Sequence, residues 1–251
     1  MAQSGLCCGL YRGSIYLRDL GNPNGALLPV GNAEATITSE TTEVNQPNYQ
    51  SLGGNACSVS YVESVGIDMT LHCTSPENMA IAFSGSTIQA AAGTATDELH
   101  TVNAEGELIA LDHAPNKDSI VVTKASTTYV VNEDYTVTNA GIIILEGTSM
   151  VLGDEIEVSY TYASNWVVEA LNQGQKTFEL VLDGENIGDD GSRAVVLKAW
   201  RVKIAPTDSF ALIASEFASI AVSGEILKDD SKPTGSKFFR IEYGTTASGT
   251  Y

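Results

Sequence analysis

The chain has 251 residues, of which 43% are hydrophobic and 18% charged, and its formal net charge is −18. That charge excludes phosphate-driven binding of nucleic acid and docking on an anionic membrane, because both need a basic surface. No window approaches the ~18 apolar residues of a membrane span, and Met1–Ala2–Gln3–Ser4 lacks the basic start and apolar run of a secretory leader.

Short alternating runs rich in Thr, Ser, Val, Gly and Ala recur along the chain, a pattern that predicts an all-β protein. Tyr11–Leu17 reads as a first strand and Gly21–Asn22–Pro23–Asn24–Gly25 as a turn. Val30–Ser39 follows as a strand with Ala33, Ala35 and Ile37 on one face. Glu40–Asn55 is polar and lacks clear periodicity. It reads as a long loop, and Asn45, Tyr49 and Leu52 within it suit a contact arm that orders on assembly.

Ala56–Val62 is predicted to pair with Val65–Cys73 through a Glu63–Ser64 turn. In the second of these, Val65, Ile67, Met69, Leu71 and Cys73 alternate with Gly66, Asp68, Thr70 and His72, which gives one core face and one polar face. Ser75 is then placed to cap a short helix, with Pro76 at its first position, Glu77 at the positive end of the dipole and Gly85 at its end. Met79, Ala82 and Phe83 share one apolar face of it. Ser86–Thr96 reads as a linker.

Leu108–Ala163 differs in character. Strands at Ile120–Val122, Tyr129–Val131, Tyr135–Val137, Ile142–Leu145 and Ile156–Tyr162 are closely spaced and predict a small Ig-like β-sandwich. Twelve acidic residues against Lys117 and Lys124 give residues 97–163 a net charge of −10, so more than half of the charge lies in about a quarter of the chain. The expected division is 1–96, an inserted module 97–163, and 164–251.

In the last segment Asn165–Leu171 and Thr177–Asp183 alternate, Gly184–Ser192 reads as an acidic Gly-rich loop, and Arg193–Ile204 is a long strand. Val196, Trp200, Val202 and Ile204 are assigned to one face of that strand, with Lys198 interrupting. Phe217–Asp229 and Phe238–Tyr243 supply the last strands, before a Gly/Ser/Thr tail.

Motifs for chemistry are missing. The three histidines, His72, His100 and His113, have no metal-ligand spacing. No GxSxG, GxxxxGK[ST] or GxGxxG turn occurs, and Asp183–Asp190 fails as a calcium loop because Ile187 stands where an oxygen ligand is needed. Cys57 and Cys73 fall at apolar strand positions and are expected to be reduced core cysteines, and the adjacent Cys7–Cys8 has no CxxC partner. No enzymatic activity, cofactor or metal is expected.

Three stretches together resemble the major tail protein, or tail tube protein, of long-tailed, non-contractile bacteriophages. They are Tyr11–Leu17 with Leu28–Pro29–Val30–Gly31–Asn32, then Ile67–Leu71 with Ser75–Gly85, and finally Phe217–Asp229. Asp134–Ile142 with Glu157–Tyr162 also resembles a β module common in phage structural proteins. The resemblance implies a tail-tube-like β-sandwich or partial barrel with one flanking helix, split by the acidic module on the tube exterior. It further implies a structural virion protein whose hexameric rings stack into the conduit for DNA ejection, assembled in the bacterial host cytoplasm. The implied partners are further copies of the chain, a tape measure protein inside the tube, tail terminator and distal tail proteins at its ends, and phage DNA in transit without specific binding. Asn45, Tyr49 and Leu52 are then expected at an inter-ring contact, and Asp68, Thr70 and His72 on a lumen or interface face. The competing reading is a carbohydrate- or receptor-binding β-sandwich surface protein whose working part is the acidic module.

Overall fold

The computed structural model describes residues 9–22, 24–31, 33–47, 54–125, 127–188, 191–232 and 234–244. The fold is all-β, with one α-helix among these residues. The chain opens with β1 (Leu10–Asp19), β2 (Leu28–Pro29), β3 (Ala33–Pro47), β4 (Asn55–Leu71), α1 (Pro76–Ala82) and β5 (Ser86–Ala90). Seven strands follow: β6 (Gly93–Thr101), β7 (Leu108–Ala110), β8 (Val121–Lys124), β9 (Thr127–Thr128), β10 (Tyr135–Val137), β11 (Gly141–Ile144) and β12 (Glu155–Tyr162). The chain ends with β13 (Asn165–Glu169), β14 (Thr177–Gly188), β15 (Gly191–Ile204), β16 (Ile220–Ile226) and β17 (Phe239–Tyr243). It divides into two compact units, Met1–Thr87 with Val168–Tyr251, and Ile88–Val167. The chain passes from one unit to the other within β5 and returns within β13.

The first unit is an antiparallel sheet in the order β2-β1-β14-β15-β16-β4-β3, with β17 pairing to β15 beside β16. Alternation puts Ile15 and Leu17 of β1, Val65, Ile67, Met69 and Leu71 of β4, Leu180 of β14 and Val222 of β16 into one core. The sheet is not closed. Tyr11–Ile15 and Ala33–Ala35 flank a 280 Å³ cleft without pairing.

The helix is fastened at both ends. The Ser75 side chain accepts from the Asn78 N–H at 3.2 Å, and Pro76 and Glu77 occupy the first turn. The helix ends with Ser84 in the left-handed region (φ 47°), its N–H reaching the Ile81 carbonyl while the Gly85 N–H reaches that of Ala80. Gly85 therefore follows the turn residue. Its own requirement is space, since a Cβ there would lie 2.1 Å from the Glu169 carbonyl oxygen. Asn78, buried, donates from Nδ2 to the Val30 carbonyl at 2.7 Å and the Cys73 carbonyl at 2.8 Å. A Glu or Gln at this position would complete a capping box; the asparagine instead ties α1 to the chain after β2 and after β4.

Several sequence expectations are corrected. Glu40–Pro47 and Asn55 are strand, so most of the expected loop belongs to one long β3–β4 hairpin. Glu63–Ser64 is not a turn. It lacks the Gly, Asn or Pro that a reversal favours, and β4 runs through it with a register shift opposite Glu40 and Thr41. Ser86–Thr96 contains β5 and the start of β6, because its Thr-rich alternation is satisfied by strand partners. Gly184–Gly188 continues β14, in register with Gly191–Val195 of β15. The buried face of β15 is Val195, Leu197 and Ala199, then Val202 and Ile204, while Val196 and Lys198 face outward. The irregularity opposite Phe178–Leu180 inserts Trp200 and Arg201, reverses the alternation, and explains why Lys198 interrupted the assigned face. Cys57 and Cys73 are exposed rather than core residues. The strand ends at Leu71, so His72 and Cys73 lie beyond it.

In the second unit, the sheets β10-β11-β7 and β6-β12-β8-β9 share a core that includes Val122, Tyr135, Ile142, Ile144, Ile156, Val158 and Tyr160. The strand expected at Tyr129–Val131 begins earlier, at Thr127–Thr128, while Tyr129 is buried in the core. Two carboxylates are used structurally. Asp154 accepts from Lys124 Nζ at 2.6 Å and from the Val151 N–H, and these contacts hold its carboxyl below the ordinary range. Glu98 accepts from the Tyr160 hydroxyl at 2.6 Å, the Asp112 N–H at 3.0 Å and His100 Nε2 at 2.8 Å. Burial raises the Glu98 pKa, but these contacts together outweigh it and hold the carboxyl below 4.5. Burial first, and then the Glu98 carboxylate, push the Tyr160 hydroxyl up to about 12.

Asn78→Ala is expected to lower stability by about 2 kcal/mol, because it leaves two carbonyls without their donor; urea unfolding measures this, and an unchanged midpoint contradicts the tie. Because the folded-state pKa of Glu98 lies below its ordinary value, its contribution is present above about pH 4.5 and is lost as pH falls through the folded value. The protection of the Asp112 amide from hydrogen exchange, measured relative to the intrinsic rate at each pH, should fall on that acidification in the native protein, and Glu98→Gln should remove most of that pH dependence.

Candidate assembly surface

The β3–β4 hairpin extends beyond the core that holds its base. Cross-strand register places Thr42 opposite Tyr61, Val44 opposite Val59 and Gln46 opposite Cys57 on one face. The other face carries Thr41 opposite Val62, Glu43 opposite Ser60 and Asn45 opposite Ser58. Since β3 continues its alternation unbroken, the Val44 face is the continuation of the Glu34, Thr36 and Thr38 face, away from the core. The β4 bulge is what brings Val59 and Tyr61 onto that side.

Val44, Val59 and Tyr61 are 57%, 61% and 54% exposed, so this ribbon presents a β-branched and aromatic face that none of the described residues of its own unit covers. Side-chain bonds support it locally: Cys57 Sγ to Gln46 Oε1 at 3.2 Å, Ser58 to Glu43, and Thr42 to Glu63. A two-stranded ribbon is at best marginal alone in water, and β3 is also an edge strand of the sheet.

At the base of the hairpin, Asp68 and Thr70 come together in a 340 Å³ polar groove with Glu34, Thr36, Asp208 and Ser223. Asp68 stands between Thr36 and Ser223, and Thr70 between Glu34 and Ala221, across three paired strands. His72 is not part of that groove. Its Nε2 lies 3.8 Å from Glu34 Oε1, and it lines a separate open depression with Ser215, Glu216 and Phe217. Asn45 is exposed on the polar face of the ribbon. Tyr49 and Leu52 lie outside the described residues.

A second apolar surface lies between β15 and β16. Thr207 donates its N–H to the Ala82 carbonyl and its hydroxyl to that of Ala221, and Phe210 meets the Phe83 ring edge-on at 5.8 Å. Between these anchors and buried Ile220, the loop leaves Leu212, Ile213 and Phe217 87%, 97% and 103% exposed.

Sequence reasoning missed Val44, Val59, Tyr61, Leu212, Ile213 and Phe217 as surface residues. Their apolar character was legible, but Val59, Tyr61 and Phe217 fell in predicted strands and read as core, Val44 fell in the stretch read as a loop, and Leu212 and Ile213 fell between predicted strands. The one available signal was that Glu43, Asn45, Ser58 and Ser60 make the opposite face of the ribbon polar too, leaving no second layer to pack on.

Among the described residues no group of three or more His, Cys, Asp or Glu side chains is arranged to hold a metal, and no helix is long and apolar enough to cross a membrane. Residues 10–242 match the family described as Protein of unknown function UCP028589, and the chain belongs to that family. No curated protein matches it.

Cys57 and Cys73 should both react readily with a maleimide in the native protein, since both thiols are free and exposed. Labelling of either only after unfolding would contradict the exposed placement of that thiol.

Proposed function

We propose that this member of the UCP028589 family is a structural subunit whose activity is assembly with further copies of itself, as rings that stack into a phage tail tube. The observation that carries the reading is the uncovered face of the β3–β4 ribbon. Val44, Val59 and Tyr61 form a patch that a lone protomer leaves in water and that a neighbouring copy would bury. An open sheet with a long edge strand fits the same reading, because pairing in an assembly removes the exposed edge. The resemblance of Tyr11–Leu17, Ser75–Gly85 and Phe217–Asp229 to tail tube proteins supplies the form of the assembly, with hexameric rings as its unit.

In this reading the groove of Asp68 and Thr70 belongs to a lumen or subunit face. Its chemistry suits passage of DNA, since Glu34, Asp68 and Asp208 offer a phosphate backbone no cation to hold. The acidic Ile88–Val167 unit, with its own core, stands on the tube exterior. The partners at the tube ends and inside it are those of a tail: terminator, distal tail and tape measure proteins.

Negative-stain microscopy and sedimentation velocity across a concentration series test this. Rings or tubes are expected for the wild type, and Val59→Asp with Tyr61→Asp should leave a folded monomer, because the changed side chains are exposed. A wild type that stays strictly monomeric under all conditions overturns the reading and favours the alternative of a ligand-binding surface protein.

A further inference from the structure

We propose that the acidic outer sheet face of the second unit docks on the cationic surface around Trp200 in the first unit of a neighbouring copy. This inference rests on the assembly reading and names one contact of that assembly. The cationic surface runs against the charge of the whole chain, −18. On the solvent side of β15, Lys198 stands directly opposite Arg240 of β17, and Arg201 and Lys203 follow along the strand. The loop between β16 and β17 adds Lys228, Lys232 and Lys237. Trp200 holds that loop against β15: its Nε1 donates to the Ser236 carbonyl, and Lys232 Nζ lies 4.5 Å from the centre of its ring.

The balance stays positive when the acids of every adjoining element are counted. Asp229 is taken by Ser231 and Lys232, Asp230 is shared by Lys228 and Lys237, Glu242 is bound by Arg240 and Glu179 by Arg18. Lys198, Arg201 and Lys203 then have no ion-pair partner among the described residues, against two remaining carboxylates, Glu225 opposite Lys203 and Asp183 opposite Val196. Like charges set directly opposite in a strand pair repel, and Lys198 with Arg240 is such a pair, which an incoming carboxylate relieves. None of these cations lines the groove of Asp68 and Thr70, and the curl of the sheet, which brings β1 and β3 to the two sides of one cleft, turns the two surfaces apart.

The complementary face belongs to the sheet β6-β12-β8-β9. Ile156, Val158 and Tyr160 of β12 point into the core of their unit, so Glu155, Glu157 and Ser159 point out. Asp97 joins them by accepting from Ser159 Oγ at 3.1 Å. The two lysines of the unit do not neutralise this face, since Lys124 is bound to Asp154 and Lys117 lies in a turn beside Asp118. Leu99 stands opposite Glu157 and Val121 opposite Ser159, and they are 61% and 45% exposed. Such side chains seat the aliphatic stems of Lys and Arg while the carboxylates take the charged heads. Charge selects the occupant. Two copies of the acidic face repel each other, whereas the surface around Trp200 offers cations that lack a carboxylate.

The test uses the full-length chain in sedimentation velocity over a concentration series, with circular dichroism to confirm folding. Glu157→Lys and Arg201→Glu should each raise the concentration needed for assembly about tenfold, and the double variant should restore it. An equimolar mixture of the two single variants should also assemble as wild type does, because every contact between unlike copies then joins opposite charges. Wild-type assembly that neither reversal weakens overturns the contact while leaving the assembly reading in place. Weakening by one reversal alone, or by both without rescue in the double, overturns the pairing of these two faces. Rescue in the double variant but not in the mixture overturns the contact as one between copies. A wild type that never assembles overturns the assembly reading and this contact together.

Discussion

The structure of the first unit depends on a sheet that buries only one of its faces. Val65, Ile67, Met69 and Leu71 of β4 are at most 4% exposed, while Gly66, Asp68 and Thr70 between them face the other way. Strand alternation enforces this division, and a one-residue slip would place every apolar side chain in water. Partners on both sides fix the register, β3 on one and β16 on the other, through Leu71 opposite Ala33 and Ile220. The helix covers part of the buried face. Asn78 holds it there by binding two backbone carbonyls that the sheet leaves without strand partners, which makes one side chain a joint between three segments.

The same alternation explains the surface proposed for assembly. Where β3 and β4 run past the core, no second layer lies over them among the described residues, and the bulge in β4 turns Val59 and Tyr61 to the side away from the core. The trunk of the hairpin is therefore stabilised by its own unit, and its distal half is not. In the proposed assembly a neighbouring copy would supply the layer that this ribbon lacks.

The second unit is organised on a different balance. Its net charge of −10 favours solubility and disfavours close packing of like modules. Two of its carboxylates are nevertheless drawn into the structure: Asp154 by Lys124, and Glu98 by Tyr160, His100 and the Asp112 amide. These hold the loop after β7 and the turn before β12 to the sheets, so part of the acidity is architectural.

The sequence by itself determined what depends on near neighbours along the chain. The alternation of Val65–Leu71, the Ser75–Pro76 helix start and the all-β class follow from local sterics and capping, and all three stand in the structure. It also placed Asp68 and Thr70 on the face away from the core, although not the groove they form with Asp208 and Ser223. Tertiary structure decided what depends on partners distant in sequence. Bulges opposite Glu40–Thr41 and Phe178–Leu180 reversed the faces of β4 and β15, because a register shift is a property of a strand pair; in β15 alone its only trace was Lys198 on the assigned face. Only pairing turned Glu40–Pro47 and Ser86–Ala90 from apparent loop and linker into strand. The exposure of Tyr61 and Phe217 has the same origin: an aromatic residue reads as core until the packing shows that no layer lies opposite it.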